Sequence, residues 1–230
     1  MNTSSTKMKY LQIFFFICSV YLSSVFPQQF NQLADAVIEK DTVKIEKLLQ
    51  SGVDINIQHP TSGTTVLMIA SSYYYYDDIV EFLIRKDAKL DLQDSEGKTA
   101  LLWAASNSLP NAKILVANGA NVNITANDGM TPFLQATLGV SSGKVKIEMC
   151  ELLRKKGANI NAALSKQSAK GWTALHYAAI NGDVDLVKYL IKYGANINKS
   201  TGEGSTPLYL AHLGNHEEVI RILKKYGAKE

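Results

Sequence analysis

A short segment recurs six times along the 230-residue chain, and this periodicity constrains the fold more than any other feature. Each clear copy combines a glycine with one or two asparagines or aspartates a few residues later. Five copies begin at Gly52, Gly119, Gly157, Gly194 and Gly227, and a degenerate copy without the glycine begins at Asp87. The successive spacings along the chain are 35, 32, 38, 37 and 33 residues. A period of about 20–50 residues is the signature of an array of stacked supersecondary units rather than of one compact core.

A second marker keeps step with the first. It opens with a threonine and closes with an alanine five residues later, and its copies are Thr65–Ala70, Thr99–Ala104, Thr131–Ala136, Thr173–Ala178 and Thr206–Ala211. This marker resembles the T-P-L-H-x-A pattern of ankyrin repeats. Only Pro132 and Pro207 keep the proline, and only His176 keeps the histidine. The resemblance covers about residues 30 to 230 because the whole pattern recurs five times.

Within a unit the residues predict two short helices. After Thr173, apolar residues first recur at helical spacing up to Ala179 and again from Leu186 to Ile191, with Asn-Gly-Asp between the two runs. The threonine stands where a helix N-cap is wanted, and Gly194 stands where a helix-ending glycine belongs. The residues therefore predict a helix–turn–helix unit.

The resemblance to ankyrin repeats implies that such units stack side by side, with hairpin-like loops that project between them. We therefore predict an all-α ankyrin-repeat solenoid of about six helix–turn–helix units. The repeat domain spans residues 28–230, and its units are approximately 30–60, 61–94, 95–127, 128–161, 162–198 and 199–230. One unit alone cannot bury its apolar stripe, whereas stacking buries it against both neighbours.

The first 27 residues differ in character from the repeats. Lys7 and Lys9 precede an apolar run from Leu11 to Leu22, and small polar residues follow it. This order is typical of a secretory signal peptide, and the run is short of the roughly 20 residues of a membrane span. We predict that residues 1–27 are a signal peptide and that the protein is exported, to a periplasm or into the medium. An uncleaved signal that anchors the protein in a membrane is the alternative.

The net charge and the cysteine content argue against nucleic-acid binding and against an intramolecular disulfide, respectively. The formal net charge is +3, and the chain beyond residue 27 holds 22 basic and 21 acidic residues, so it has no electrostatic reason to bind nucleic acid. Loss of the signal would remove Cys18 and leave Cys150 without a disulfide partner. We expect a monomer that binds another protein, binds no nucleic acid, and contacts a membrane only through a retained N-terminal segment.

Few residues resemble a chemical site. The segment Gly139–Lys144 has three residues between its glycines and a valine after the lysine, whereas a phosphate-binding loop needs four and then a serine or threonine. His212 and His216 have metal-ligand spacing, but a glycine and an asparagine separate them and no third ligand is near in sequence. Cys150 falls on the apolar side of a predicted helix, which favours a buried thiol. We predict no enzyme activity, no cofactor and no metal.

The resemblance also implies a binding surface. Ankyrin repeats bind partners through loop tips and first helices that line a concave groove. The corresponding positions here are the residue before each motif threonine and residues just after the alanine pair, namely Lys98, Met130, Trp172, Ser205, Tyr73, Ser106, Asn107, Ile180 and Asn181. Trp172 is the strongest candidate, because its large ring follows Gly171 at a loop tip. Packing of that ring against the next loop is the alternative.

Four consecutive tyrosines, Tyr73–Tyr76, stand between the two predicted helices of the second unit. Tyrosine is favoured at protein interfaces because it combines a large rigid ring with a polar tip. We therefore add Tyr74 to Tyr73 as a predicted contact residue. The alternative is that one or two of these rings pack into the core.

Two insertions break the period, one near residues 139–143 between helices and one of about four residues within 162–170. Insertions in solenoids fall in loops, often on the binding side, and neutral surface drift is the alternative. The sequence as a whole predicts a protein-binding module that acts outside the cytoplasm as an adaptor, scaffold or inhibitor. A secreted effector with a host target, and an enzyme or ligand-binding site within the insertions, are the alternatives.

Overall fold

A computed structural model describes residues 28–138 and 143–229 of the chain. Its helices are α1 (28–38), α2 (Thr42–Gln50), α3 (Val66–Ser72), α4 (Asp77–Arg85), α5 (Ala100–Asn107), α6 (Leu109–Ala117), α7 (Pro132–Leu138), α8 (Gly143–Lys155), α9 (Ala174–Ile180), α10 (Val184–Lys192), α11 (Pro207–Leu213) and α12 (Glu217–Lys225). Within the two described ranges these twelve helices form six consecutive pairs. The predicted all-α array of about six helix–turn–helix units is confirmed.

The pairs stack as two parallel layers of helices. The first helices of successive units contact one another in order from α3 to α11, and the second helices do so from α4 to α12. One continuous cluster of buried apolar side chains runs between the layers. Every unit that opens with the motif threonine contributes the large residue two positions later, namely Leu67, Leu101, Phe133, Leu175 and Leu208. Stacking thus buries the apolar stripe that one unit could not bury alone.

The motif threonines act as N-caps, as their position predicts. The hydroxyl oxygen accepts a hydrogen bond from the amide three residues further on at Thr65, Thr99, Thr131 and Thr206. In the fifth unit the Thr173 hydroxyl lies 2.8 Å from Nδ1 of His176, which also accepts from the Thr173 amide at 3.1 Å. A side-chain cap of this kind satisfies one of the helix's unpaired amides and contributes about 1 kcal/mol.

The asparagines of the first marker bind each unit to the next. Asn161 Oδ1 accepts from the Asn196 amide at 2.8 Å, and its Nδ2 donates to the Gly194 carbonyl at 3.0 Å. The same pair of bonds is made by Asn56, Asn123 and Asn198. Asp91 stands at this place in the degenerate copy and accepts from the Asn121 amide at 3.0 Å. A carboxylate has no N–H, so Asp91 cannot make the second bond.

The chain between successive helix pairs projects as five loops, here called fingers 1 to 5: residues 53–64, 88–98, 120–130, 158–172 and 195–205. Backbone hydrogen bonds join their tips in sequence, because the Ser95 amide donates to Ser62, the Asn127 amide to Glu96, and the Ser165 amide to Asp128. These bonds are 2.8–2.9 Å long. The row of fingers is therefore ordered before any partner arrives.

Finger 4 contains the insertion predicted within residues 162–170. Its tip forms a short 3₁₀ turn at Gln167–Ala169, and an isolated antiparallel bridge between Ala163 and Thr173 closes its base. The Leu164 amide also donates to the Trp172 carbonyl at 2.9 Å. The extra residues thus lengthen the finger and leave its base closed.

Two other predictions fall on parts of the chain that the structure does not describe. The predicted signal peptide, residues 1–27, lies outside the described residues, as do residues 139–142 of the other predicted insertion. Among the helices that are described, none has both the length and the apolar character that a membrane crossing requires.

Candidate partner-binding surface

Four of the predicted contact residues lie in a row, one at the end of each of fingers 2 to 5. Lys98, Met130, Trp172 and Ser205 each come just before an N-cap threonine, and each side chain is half-buried. Because each occupies the equivalent position in successive stacked units, these residues lie along the boundary between the fingers and the first helices. Their role in binding remains a prediction.

An open cleft of about 310 Å³ lies where the first three units meet. Its lining is mainly apolar and consists of Ile38, Thr64, Met68, Ile69, Ser72, Tyr73 and Trp103. Trp103 is held in place by its indole N–H, which donates to Asp94 at 3.3 Å, and by the Lys98 ammonium 5.1 Å from the ring centre. We call this the Tyr73 cleft. Of the predicted contact residues, Tyr73 lines this cleft, and Lys98 contacts the Trp103 ring that completes it.

The tyrosine run forms the loop between α3 and α4, where the sequence places it. Tyr76 is half-buried against the core, and Tyr73 stacks on it with ring centres 4.8 Å apart. Tyr74 and Tyr75 are exposed and meet edge to face at 4.7 Å. One ring therefore packs inward, as the alternative interpretation of the run expects, while the side chains of Tyr73, Tyr74 and Tyr75 are exposed.

A buried amide anchors this tyrosine loop. Asn111 of α6 is fully buried, and its Nδ2 donates to the Tyr73 carbonyl at 2.7 Å and to the Ser71 and Ala70 carbonyls at 3.2 and 3.3 Å. The Tyr76 hydroxyl donates to the Ile38 carbonyl at 2.7 Å. The loop is tied on both sides, so its rings are presented in a fixed arrangement.

Trp172 lies against its own helix rather than free at a finger tip. It is half-buried, and its ring centre is 4.9 Å from that of Tyr177 and 6.0 Å from that of His176. Burial, with the nearby carboxylate of Asp128, raises the pKa of the Tyr177 hydroxyl, which stays neutral. Trp172 and Tyr177 together form a second aromatic contact, two units along from the Tyr73 cleft.

The other four predicted residues lie at the far ends of the first helices. Ser106 and Asn107 end α5, Ile180 ends α9, and Asn181 follows it as the C-cap. Asn107 and Asn181 are exposed, and Ser106 and Ile180 are half-buried. They stand about 10 Å along the helix from the threonine caps, at 1.5 Å per residue, so they form a separate edge of the surface.

Four further residues of the first helices lie on this surface and were not predicted from the sequence. Ile69, Trp103, Gln135 and Tyr177 all precede a motif alanine, and all four are half-buried on the first helices. Their common place in the repeat could have identified them in four of the five copies. In the fifth copy the residue at this place, Leu210, is buried. The anchoring role of Asn111 has no such periodic signal.

Two side chains of types that often carry chemistry, Cys150 and His176, are buried in the fold. Burial raises the pKa of the Cys150 thiol to about 12, so it stays protonated. Burial lowers the pKa of His176, whose Nε2 lies 3.0 Å from the Lys199 carbonyl. No group of metal-ligating side chains comes together among the residues of these two ranges. The surface offers aromatic and polar contacts arranged in a row.

This fold and surface define a helical-repeat binding module. A family model described as ankyrin repeats (3 copies) matches residues 33–126, 75–163 and 136–230, which together cover most of the chain. The chain belongs to the ankyrin-repeat family, and the resemblance seen in the sequence is confirmed.

Several curated relatives share part of this repeat array. SH3 and multiple ankyrin repeat domains protein 2 of Homo sapiens is 28% identical over 67% of this chain and 8% of its own length. A putative ankyrin repeat protein of Fowlpox virus, FPV031, is 31% identical over 65% of this chain and 43% of its own. One of Rickettsia bellii is 32% identical over 52% and 33%. The chain thus spans less than half of the length of these relatives.

A solved structure matches more of the chain. It is the complex of a predatory endopeptidase from Bdellovibrio bacteriovorus with an immunity protein. The matching chain is 31% identical with a TM-score of 0.70, and the match covers 84% of this chain and 97% of that one. The similarity therefore extends over nearly the whole of the matched chain.

Proposed function

We propose that this protein is an exported inhibitor that binds a partner peptidase through its fingers and first helices and blocks it. The observation that supports this proposal best is the similarity to the complex of an endopeptidase with an immunity protein, which spans 97% of the matched chain. The N-terminal lysines and apolar run support the exported location, where a cell would need protection from its own released peptidase.

The surface has the physical properties that such binding requires. The fingers are joined tip to tip by hydrogen bonds, and Asn111 holds the tyrosine loop, so little conformational entropy is lost when a partner docks. Tryptophan and tyrosine are the residues that most often dominate binding energy at protein interfaces. Trp103 and Trp172 lie on this surface two units apart, which suits a broad contact rather than a small-molecule pocket.

An inhibition titration tests the proposal. Exported peptidases of the source cell are fractionated, and each fraction is assayed on fluorogenic peptides while the purified protein is added. We expect one fraction to lose activity and to reach its minimum at one equivalent of protein. Because a central aromatic contributes about 2 kcal/mol or more, Trp103→Ala should weaken inhibition roughly 30-fold.

Tyr226→Ala serves as the matched control. Tyr226 is an exposed aromatic residue that lies at the end of α12 in the other helix layer, so its loss should leave inhibition unchanged. Inhibition of no fraction by a folded protein would refute the inhibitor function. Capture of a protein whose activity is unaffected would instead favour an adaptor or scaffold.

A further inference from the structure

Charge is unevenly distributed along the finger tips. The tips of fingers 2 and 3 hold Asp94, Glu96 and Asp128 with one lysine, Lys98. The tips of fingers 4 and 5 hold three lysines and one glutamate, namely Lys166, Lys170, Lys199 and Glu203. The row is acidic toward the N-terminal units and basic toward the C-terminal units, although the chain beyond residue 27 is close to neutral.

The acidic half is largely engaged within the protein. Asp94 accepts hydrogen bonds from the Lys98 amide at 2.8 Å and from the Trp103 indole at 3.3 Å, and Glu96 pairs with the Lys98 ammonium. In contrast, Lys166, Lys170 and Lys199 are exposed, and none of them forms an ion pair with any residue that the structure describes. The basic half is the part whose charge is left for a partner.

Backbone contacts bring two of these lysines, Lys170 and Lys199, close to the second aromatic contact. The Gly202 amide of finger 5 donates to the Lys170 carbonyl at 2.6 Å, and His176, which lies beside Trp172, contacts the Lys199 carbonyl. Trp172 itself follows Lys170 by two residues. Fingers 4 and 5 therefore place Lys170 and Lys199 near the paired rings of Trp172 and Tyr177. Lys166 lies further along finger 4, where its amide donates to the Asp128 carbonyl at 3.1 Å.

We propose that fingers 4 and 5 bind an acidic segment of the partner protein, with an apolar side chain of that segment seated on Trp172 and Tyr177. The lysines supply the complementary charge, which steers association and fixes the orientation of the partner. A protein fits better than a nucleic acid, because the unpaired lysines of the described finger tips are confined to two adjacent fingers, and the 22 basic and 21 acidic residues beyond residue 27 give little net attraction for a continuous phosphate backbone. This inference rests on the proposed function, since it describes the chemistry of the partner at the same surface.

The test uses a short fluorescein-labelled peptide of repeating Glu-Glu-Leu and follows its anisotropy as the purified protein is added at low ionic strength. We expect saturable binding that weakens as salt is raised. The double variant Lys166→Glu/Lys170→Glu should weaken binding roughly tenfold, because two exposed attractions become repulsions. The matched control Lys113→Glu/Lys156→Glu makes the same charge change at exposed lysines after or within second helices and should bind as the unaltered protein does.

The outcomes separate this inference from the inhibitor function. No peptide binding, or an equal loss of peptide affinity in the control variant, would overturn the inference. If a peptidase is still inhibited in that case, the inhibitor function is retained. Peptide binding at fingers 4 and 5 without any inhibited peptidase would refute the inhibitor function alone. Tighter binding of a thymidine oligonucleotide than of the peptide, lost in the Lys166/Lys170 variant, would overturn the assignment to a protein partner.

Discussion

Replacement of Asn111 by alanine should destabilise the protein and loosen its tyrosine loop. The side chain is fully buried, and its Nδ2 donates to three carbonyls of the preceding unit, the shortest bond being 2.7 Å to Tyr73. A buried polar group left unpaired costs about 1–3 kcal/mol. After the substitution the Ala70 carbonyl still accepts a hydrogen bond from the Tyr73 amide. The main cost therefore comes from the Ser71 and Tyr73 carbonyls, which lose the hydrogen bond from Asn111.

The expected loss is smaller than the sum for two carbonyls. Asn111 Oδ1 is buried with no hydrogen-bond partner among the described residues, so its removal relieves an existing penalty. Taken together, these effects reduce the free energy of unfolding by about 2–3 kcal/mol. Urea unfolding followed by circular dichroism measures the change, and the inhibition titration of Asn111→Ala reports the loosened loop.

Asn118→Ala is the matched control for this substitution. Asn118 is also an asparagine at α6, but it is exposed, and its Nδ2 makes one bond to the Ile114 carbonyl at 2.9 Å. Its loss should cost less than about 0.5 kcal/mol. Equal and small effects in both variants would show that the buried amide does not anchor the loop, and the reasoning from its three bonds would fail.

Two further predictions concern the units themselves. Asp91→Asn restores the side-chain N–H that the degenerate copy lacks, so the new amide can donate to the Gly119 carbonyl. We expect the free energy of unfolding, measured in urea, to rise by about 0.5–1 kcal/mol. No rise would contradict the role given to the repeat asparagines. Because burial lowers the pKa of His176, protonation favours the unfolded chain, and stability should fall as the pH drops below the ordinary value of 6.5. His176→Met copies the residue found at Met68, and this pH-dependent loss should be smaller in that variant; equal loss in both would refute the assignment.

Much of the fold could be predicted from the sequence because each unit repeats the same short-range sequence signals. The threonine caps, the glycine ends and the apolar spacing act within a few residues of one another, so a single unit such as that of Thr173 contains them all. The insertion within 162–170 could be located for the same reason. Its closed base could not, because the bridge between Ala163 and Thr173 forms only when the finger folds back.

The surface was harder to predict because its parts meet across units. Trp103 contacts Lys98 and Asp94 nearby in sequence, yet the cleft it completes also needs Ile38 and Tyr73 from two earlier units. Asn111 looks like a surface residue by composition, and it is buried only because carbonyls about 40 residues earlier surround it. No local pattern reports such a contact.

Because the base of finger 4 is closed, a change in the length of this finger need not change the stability of the repeat stack. The bridge between Ala163 and Thr173 closes the loop, and Asn161, which binds the next unit, precedes this bridge in the chain. Beyond the bridge, the Ser165 and Lys166 amides bind Asp128 of finger 3, and the Lys170 carbonyl binds Gly202 of finger 5. Residues 167–169, between these contacts, can therefore be exchanged without breaking a backbone bond to either neighbouring finger. Related chains could acquire different partner specificities through substitutions in this one segment. A new binding peptide could also be grafted there by protein engineering.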